Sequence, residues 1–309
     1  MIRVGWNLQL QRPVGSPSTG RVHINSDRIG LKENQSMANL FDLTGRVFVV
    51  TGATGVLAGA AADYLATCGA RVAYVGRTQD KLDASLARCR QQTPKADVMG
   101  IVADVLDRPA LERGRDTVTS KWGRIDGLLN AAGGNQPGAT VPPDKTFADL
   151  DFEAFRQVVD LNLHGTVLPT LVMVPSMISS GRGTVVNYSS ASAAQAVTRV
   201  VGYSAAKGAV ENFTRWLAVD LARRTSGAVR VNALVPGFFL AEQNRRLLTN
   251  EDGSFTARGQ SVISKTPFGR FGAPQDLFGA IHYLLSDASS FVTGISLPVD
   301  GGFGAFSGV

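Results

Sequence analysis

From residue 46 onward, short apolar runs alternate with longer stretches of helical period. The first run, 46–51, is rich in β-branched residues and gives way at once to glycines and then to a small-residue helical pattern. Strands are predicted over 46–51, 71–75, 97–102, 125–130, 183–188, 229–234 and 294–299. Helices are predicted over 57–68, 80–91, 109–122, 152–180, 201–224 and 275–285, with Pro109 in a first turn and Pro274 just ahead of the last helix. Strand alternating with helix implies right-handed crossovers and an α/β fold, a doubly wound, seven-stranded parallel sheet with helices on both faces.

Nothing between Met37 and Val309 resembles a linker, so 37–309 reads as a single domain despite its length. Residues 1–36 lack period, scatter Pro13, Gly15, Pro17 and Gly20 among polar residues, and read as a disordered leader. Met37 is then a candidate natural start.

Composition narrows the partners. Of 309 residues, 44% are hydrophobic and 18% charged, as in a globular protein with a sizeable core. The net charge is +6, of which +3 belongs to residues 1–36. With no basic stripe interleaved with aromatics, a nucleic-acid partner is not expected, and a small anionic ligand suits the mild positive charge. No unbroken apolar run reaches the roughly 18 residues needed to cross a bilayer, so no membrane partner is expected. Cys68 and Cys89 stand alone, without metal-ligand spacing, and read as reduced thiols of a cytoplasmic protein with no metal site.

Two stretches carry chemistry. Thr51-Gly52-Ala53-Thr54-Gly55 joins the first strand to the first helix, where a Gly-rich turn lets the backbone approach a pyrophosphate on the helix N-terminus. After the second strand, Gly76 stands where a ribose-binding carboxylate would, and Arg77 follows. A guanidinium there favours NADP(H), with NAD(H) possible. Asp104, after the third strand, either caps an adenine or caps a turn. The second stretch is Tyr203-Ser-Ala-Ala-Lys207, which on a helix places a phenol and an ammonium on one face. A nearby cation favours the phenolate and would bring Tyr203 toward acid/base duty. By itself such a pair is an ordinary helix face.

The order of motifs lifts it above that. From Phe41 to the C-terminus the chain resembles the short-chain dehydrogenase/reductase family. The resemblance rests on the Thr51-Gly52 turn, Asp104, Asn130-Ala131-Ala132-Gly133, Asn162, Ser189-Ser190, Tyr203 with Lys207, Pro236-Gly237 and Asp300-Gly301-Gly302. It implies a Rossmann fold, a nicotinamide cofactor, and interconversion of a secondary alcohol and a ketone. Ser190, 13 positions before Tyr203, would orient the substrate oxygen. Tyr203 would exchange the proton, Lys207 would hold the ribose and tune Tyr203, and Asn162 would support a water relay. The cofactor would meet Thr51, Gly52, Thr54, Val56, Leu57, Arg77, Asp104, Val105, Asn130, Ala131, Ala132, Gly133, Pro236, Gly237 and Phe239 besides Tyr203 and Lys207. Three positions depart from the pattern: Val56 and Ala58 replace glycines of the turn, and Ala241 stands where a threonine often meets the carboxamide.

The substrate falls to the loops. Asn135 after the fourth strand and Gln243, Asn244 and Arg245 in a lid over about 238–262 form a donor set suited to a polyhydroxylated, carboxylated molecule. With Thr266–Gly272 and the tail from Phe303, they resemble the sugar-acid branch of the family, acting on D-fructuronate and D-mannonate. A 3-oxoacyl thioester reductase is the alternative enzyme, and a non-catalytic dinucleotide sensor the alternative class. The resemblance further implies a homotetramer built on helices 152–180 and 201–224 and on the last strand.

Overall fold

In the computed structural model, residues 40–240, 245 and 247–308 are described. Seven strands run parallel in the order β3-β2-β1-β4-β5-β6-β7. They are β1 (Val47–Thr51), β2 (Arg71–Gly76), β3 (Val98–Val102), β4 (Gly127–Asn130), β5 (Gly183–Tyr188), β6 (Val229–Pro236) and β7 (Ser296–Val299). The helices are α1 (Val56–Thr67), α2 (Gln79–Gln92), α3 (Arg108–Trp122), α4 (Phe152–Val159), α5 (Gly165–Ser179), α6 (Val201–Thr225), α7 (Ala257–Ser264) and α8 (Phe278–Leu285).

The double winding is visible in single strands. Successive side chains of a strand point to opposite faces. Phe48 and Val50 of β1 therefore pack with α1, α2 and α8. Val47 and Val49 pack with α3, α5 and α6. Both faces are covered, which is why the strands read as continuous apolar runs. The strand order reverses between β1 and β4, which pair from Phe48 with Gly127 to Thr51 with Asn130.

Two helical features differ from the sequence expectation. The stretch after residue 152 is helical to Ser179, but a π-helical turn over Asp160–His164 divides it, with Asn162 fully buried inside the turn. Within Phe152–Ser179 one 18-residue window has mean hydropathy 1.3, so by length and composition the helical run could cross a membrane, although polar residues keep it from being an unbroken apolar run. Half of its most apolar window is buried, and Val172, Met173, Val174 and Met177 pack against the sheet. The second feature is α7, which the sequence did not announce: Gly259 and four polar residues dilute its period.

Candidate active site

β1 ends where the strand order reverses, the place in a doubly wound sheet where a crevice opens for ligands. Thr51 spans that crevice: its Oγ1 accepts from the Ala131 and Ala132 N–H groups at 3.1 and 3.2 Å, joining the ends of β1 and β4. Gly52 follows at φ +68°, and a Cβ there would stand 2.8 Å from Ala132 Cα. Only glycine combines that dihedral with that approach. Gly55 caps α1 without a side-chain hydrogen bond, and the first turn of the helix carries no acid. Its orphan N–H groups and positive dipole end are thus left for an anion, as a pyrophosphate requires.

Around this cradle stand the other residues expected to hold a cofactor. A Cβ on Gly76 would come 2.8 Å from the Thr54 methyl, so the position normally open to a carboxylate is filled by its neighbour. Arg77 is exposed, with Nη1 3.9 Å from Asp104 Oδ2. The other Asp104 oxygen accepts from Leu106 N–H at 2.8 Å, so Asp104 does cap a turn, and it also faces the guanidinium. Val56 is exposed and Leu57 half-buried on the first turn of α1. Val105 and Asn130 turn inward. Val105 is buried where a Cβ on Gly165 would strike it. The Asn130 amide donates to Thr170 and Asn187 at 2.8 and 2.9 Å, and its buried Oδ1 has no partner among the described residues. At the end of β6, Gly237 donates to Val299 at 3.0 Å, and a Cβ on it would meet Asp300 Cα at 2.7 Å. Pro236 closes the strand, and the buried Phe239 ring fills the space beside Gly272.

The second group gathers at the ends of β5 and α6. Ser189 is buried and donates to Glu211 at 2.8 Å, so its hydroxyl is committed to structure. Ser190 begins the turn Ala191–Ala193, and its Oγ accepts from the Ser192 backbone and hydroxyl at 3.2 and 3.1 Å. The Tyr203 ring rests on Ala139, Ala154 and Val158. Loss of surrounding water raises the phenol above its ordinary pKa, and the Ser190 hydroxyl pulls it the other way. The sequence expectation that Lys207 would dominate in favour of the phenolate is therefore reversed in direction. Lys207 is 3% exposed, donates to the Tyr188 carbonyl at 2.8 Å, and lies 5.6 Å from the Tyr203 ring centre. Burial pulls its ammonium down to about 8.

The Asn162 side chain is fully engaged with its own surroundings. Its Nδ2 donates to Gly134 and Val158 carbonyls at 2.7 and 2.8 Å, while Oδ1 accepts from Gly134 N–H at 3.1 Å. This two-way clasp pins the loop after β4, and both donor hydrogens are occupied. A Cβ on Gly133 would fall 2.6 Å from Asn162 Oδ1 and 3.3 Å from Lys207 Nζ. Glycine at 133 is what brings β4, the π turn and α6 to one point.

Residues 52–304 match the short-chain dehydrogenase family model that carries the description enoyl-(acyl carrier protein) reductase. The chain is a short-chain dehydrogenase/reductase. As such it is an NAD(P)-dependent oxidoreductase acting between an alcohol and a ketone. It is 41% identical over 277 residues to the uncharacterized oxidoreductase UxuB of Bacillus subtilis, covering 87% of this chain and 98% of that one. It also resembles the crystal structure of a candidate D-mannonate oxidoreductase from Haemophilus influenza with bound NAD. The TM-score is 0.82 at 34% identity, over 89% of this chain and 100% of that one. A candidate NAD(P)-dependent gluconate 5-dehydrogenase from Beutenbergia cavernae, with NADP at low occupancy, aligns at TM-score 0.75 and 30% identity, over 86% and 99%.

Within this short-chain dehydrogenase the expected substrate residues are the least gathered. Asn135 is exposed and donates to Thr140 at 3.0 Å. Arg245 is exposed, and Gln243 and Asn244 lie outside the described residues. Sequence reasoning missed Ser192, Glu211 and the polar ladder Asn130-Asn187-Thr214, in which the Asn187 amide donates to Thr214 at 2.9 Å. A hydroxyl two residues after Ser190 was the one available signal. Glu211, eight residues beyond Tyr203, gives none, because its partners Ser189 and Ser296 come from distant strands.

Proposed function

We propose that this enzyme interconverts a keto sugar acid and its hydroxy acid, of the D-fructuronate and D-mannonate type. The observation that carries the reading is the likeness along the whole length of the Haemophilus influenza structure. The cradle of Gly52, Gly55 and the uncapped α1 suits a nicotinamide dinucleotide, and Thr51, Arg77, Asp104, Lys207 and the turn Pro236-Gly237 would hold it. That group supplies or accepts the hydride when bound. Arg77, with no carboxylate at residue 76, supports NADP(H) as the favoured form, NAD(H) being accepted too.

The remaining work belongs to the chain's own side chains. In the reductive direction Tyr203 must donate a proton to the carbonyl oxygen. A phenol held above its ordinary pKa is fully protonated at neutral pH and ready to donate. Ser190 orients the carbonyl oxygen by hydrogen bonding, its own hydroxyl set by Ser192. Lys207, held by the Tyr188 carbonyl, supplies positive charge beside the phenolate that forms after donation. Asn162 acts by fixing the Gly133-Gly134 loop.

Reduction of a 3-oxoacyl thioester is the second reading, supported by a relative of that activity, the 3-oxoacyl-[acyl-carrier-protein] reductase FabG of Thermotoga maritima, 32% identical over 260 residues. A non-catalytic sensor would have no use for the gathered Ser190, Tyr203 and Lys207. The test is cofactor oxidation by absorbance with D-fructuronate, other keto sugar acids and an acetoacetyl thioester, each with NADH and NADPH. Turnover of D-fructuronate is expected, and turnover of the thioester alone would replace the sugar acid by an acyl substrate. The assembly is proposed as a cytoplasmic homotetramer, supported by the exposed Leu171 and Ile178 on α5 and Trp216 and Val219 on α6.

A further inference from the structure

The segment between Ser190 and Tyr203 forms one wall of the mouth of the site, and two elements brace it from outside. Gln195 donates to the Gly304 carbonyl in the C-terminal tail at 3.2 Å. On the other side, Arg258 of α7 reaches Thr198, with Nη1 3.3 Å from its Oγ1 and Nη2 3.4 Å from its carbonyl. These are long bonds, weaker than a guanidinium makes to a carboxylate.

Next to Thr198 stands Arg199, with φ +77°, one of two described residues other than glycine with positive φ. An arginine in the left-handed region is strained and persists where surrounding bonds enforce it. Here the Arg199 carbonyl accepts from Val141 N–H at 3.0 Å, which ties the loop to the segment following β4. Strained backbone of this kind clusters where side chains are held for a ligand.

The two arginines also face each other's charge. Both are half-buried, and among the described residues neither forms an ion pair with Asp or Glu. The other arginines near the site differ: Arg270 is bound to Asp276 at 2.6 Å, and Arg215 lies 3.7 Å from Glu211. Burial, and then the charge of Arg199, both draw the Arg258 guanidinium below its ordinary value. Two cations brought together with no counter-ion among the described residues, Arg199 four residues before Tyr203 and Arg258 on α7, are relieved by an anion placed between them.

We propose that Arg199 and Arg258 form a two-guanidinium clamp that binds the substrate's carboxylate at the mouth of the site, with the backbone turn at Arg199 aiming one half of it. The inference rests on the sugar-acid reading above and locates the charge recognition that the sequence assigned to Arg245. Because α7 carries one half, binding of the carboxylate also fastens the lid helix to the catalytic wall.

The experiment compares D-fructuronate with D-fructose, which has a hydroxymethyl group in place of the carboxylate, in wild type, Arg258→Gln, Arg258→Lys and Arg199→Gln. Competition by D-gluconate is measured alongside. The clamp predicts that the ratio of kcat/KM for D-fructuronate over D-fructose falls about 10- to 100-fold in Arg258→Gln and Arg199→Gln, through KM. Arg258→Lys should recover part of it. D-gluconate should inhibit wild type and lose at least tenfold in potency in both glutamine variants. An unchanged ratio with D-fructuronate turned over overturns the clamp and leaves the sugar-acid reading intact. If D-fructuronate is not reduced, that reading falls. The clamp then stands only if D-gluconate inhibition of whatever carbonyl is reduced weakens in both variants, and is overturned if it does not.

Discussion

The Lys207 ammonium lies beside the Tyr203 ring, 5.6 Å from its centre, and is anchored to the Tyr188 carbonyl at 2.8 Å. Pairing a buried cation with a buried phenol sets two opposed tendencies: each group resists ionising, yet each ionised form is eased by the other. The balance seen here leaves Tyr203 a proton donor at neutral pH and makes Lys207 the group that titrates closest to it.

The first consequence concerns pH and activity. Lys207 loses its proton through about pH 8. kcat/KM for the reduced cofactor, which reports the free enzyme, should fall above about pH 8. Lys207→Arg should remove that limb, and the same limb persisting in Lys207→Arg would assign it elsewhere.

The same group affects stability, with a definite sign. Below pH 8 the folded protein carries the buried charge and the unfolded chain carries it in water, so folding bears the full penalty. Between about 8 and the ordinary lysine value of 10.5 the unfolded state binds more protons, and stability rises with pH. The difference amounts to about 3 kcal/mol. Above pH 10 the buried phenols Tyr74, Tyr188 and Tyr203, all held above their ordinary value, reverse the trend. Urea melts of wild type and Lys207→Met should therefore diverge most at neutral pH and converge toward pH 10.

Asn162 offers a test of clasp against relay. Removing a fully buried amide with three hydrogen bonds strands the Gly134 N–H and carbonyl, costing about 2–4 kcal/mol. Asn162→Ala should show a lowered midpoint in thermal melts together with a raised KM for the cofactor. A loss of kcat alone, at unchanged melting, would return Asn162 to a relay.

Arg77 is exposed and bound only loosely to Asp104. Arg77→Ala should raise KM for NADPH about tenfold while KM for NADH moves less than twofold. Equal changes for the two cofactors would remove Arg77 from 2′-phosphate recognition.

The sheet was readable because each parallel strand, buried on both faces, is a run of apolar residues bounded by turn formers. The predicted limits of β5 agree with those observed, while β4 begins at Gly127 and β7 at Ser296, each two residues later than expected. The cofactor turn and the Tyr203-Lys207 pair were legible because their spacing is local. What the sequence hid is set at a distance. The π turn at Asn162 answers to Gly134, the φ of Arg199 to Val141, and the direction of the Tyr203 shift to Ala139, Ala154 and Val158 around its ring. Helix α7 escaped because its burial rests on few residues, Gly259 and Val262.

The central claim is that Tyr203 delivers the proton as the hydride crosses. The direct measurement is kcat for D-fructuronate reduction in Tyr203→Phe at pH 7, on protein whose circular dichroism and melting match wild type. Loss of the hydroxyl should lower kcat about 10²- to 10⁴-fold. A rate within a few-fold of wild type would contradict the assignment of Tyr203 as the acid.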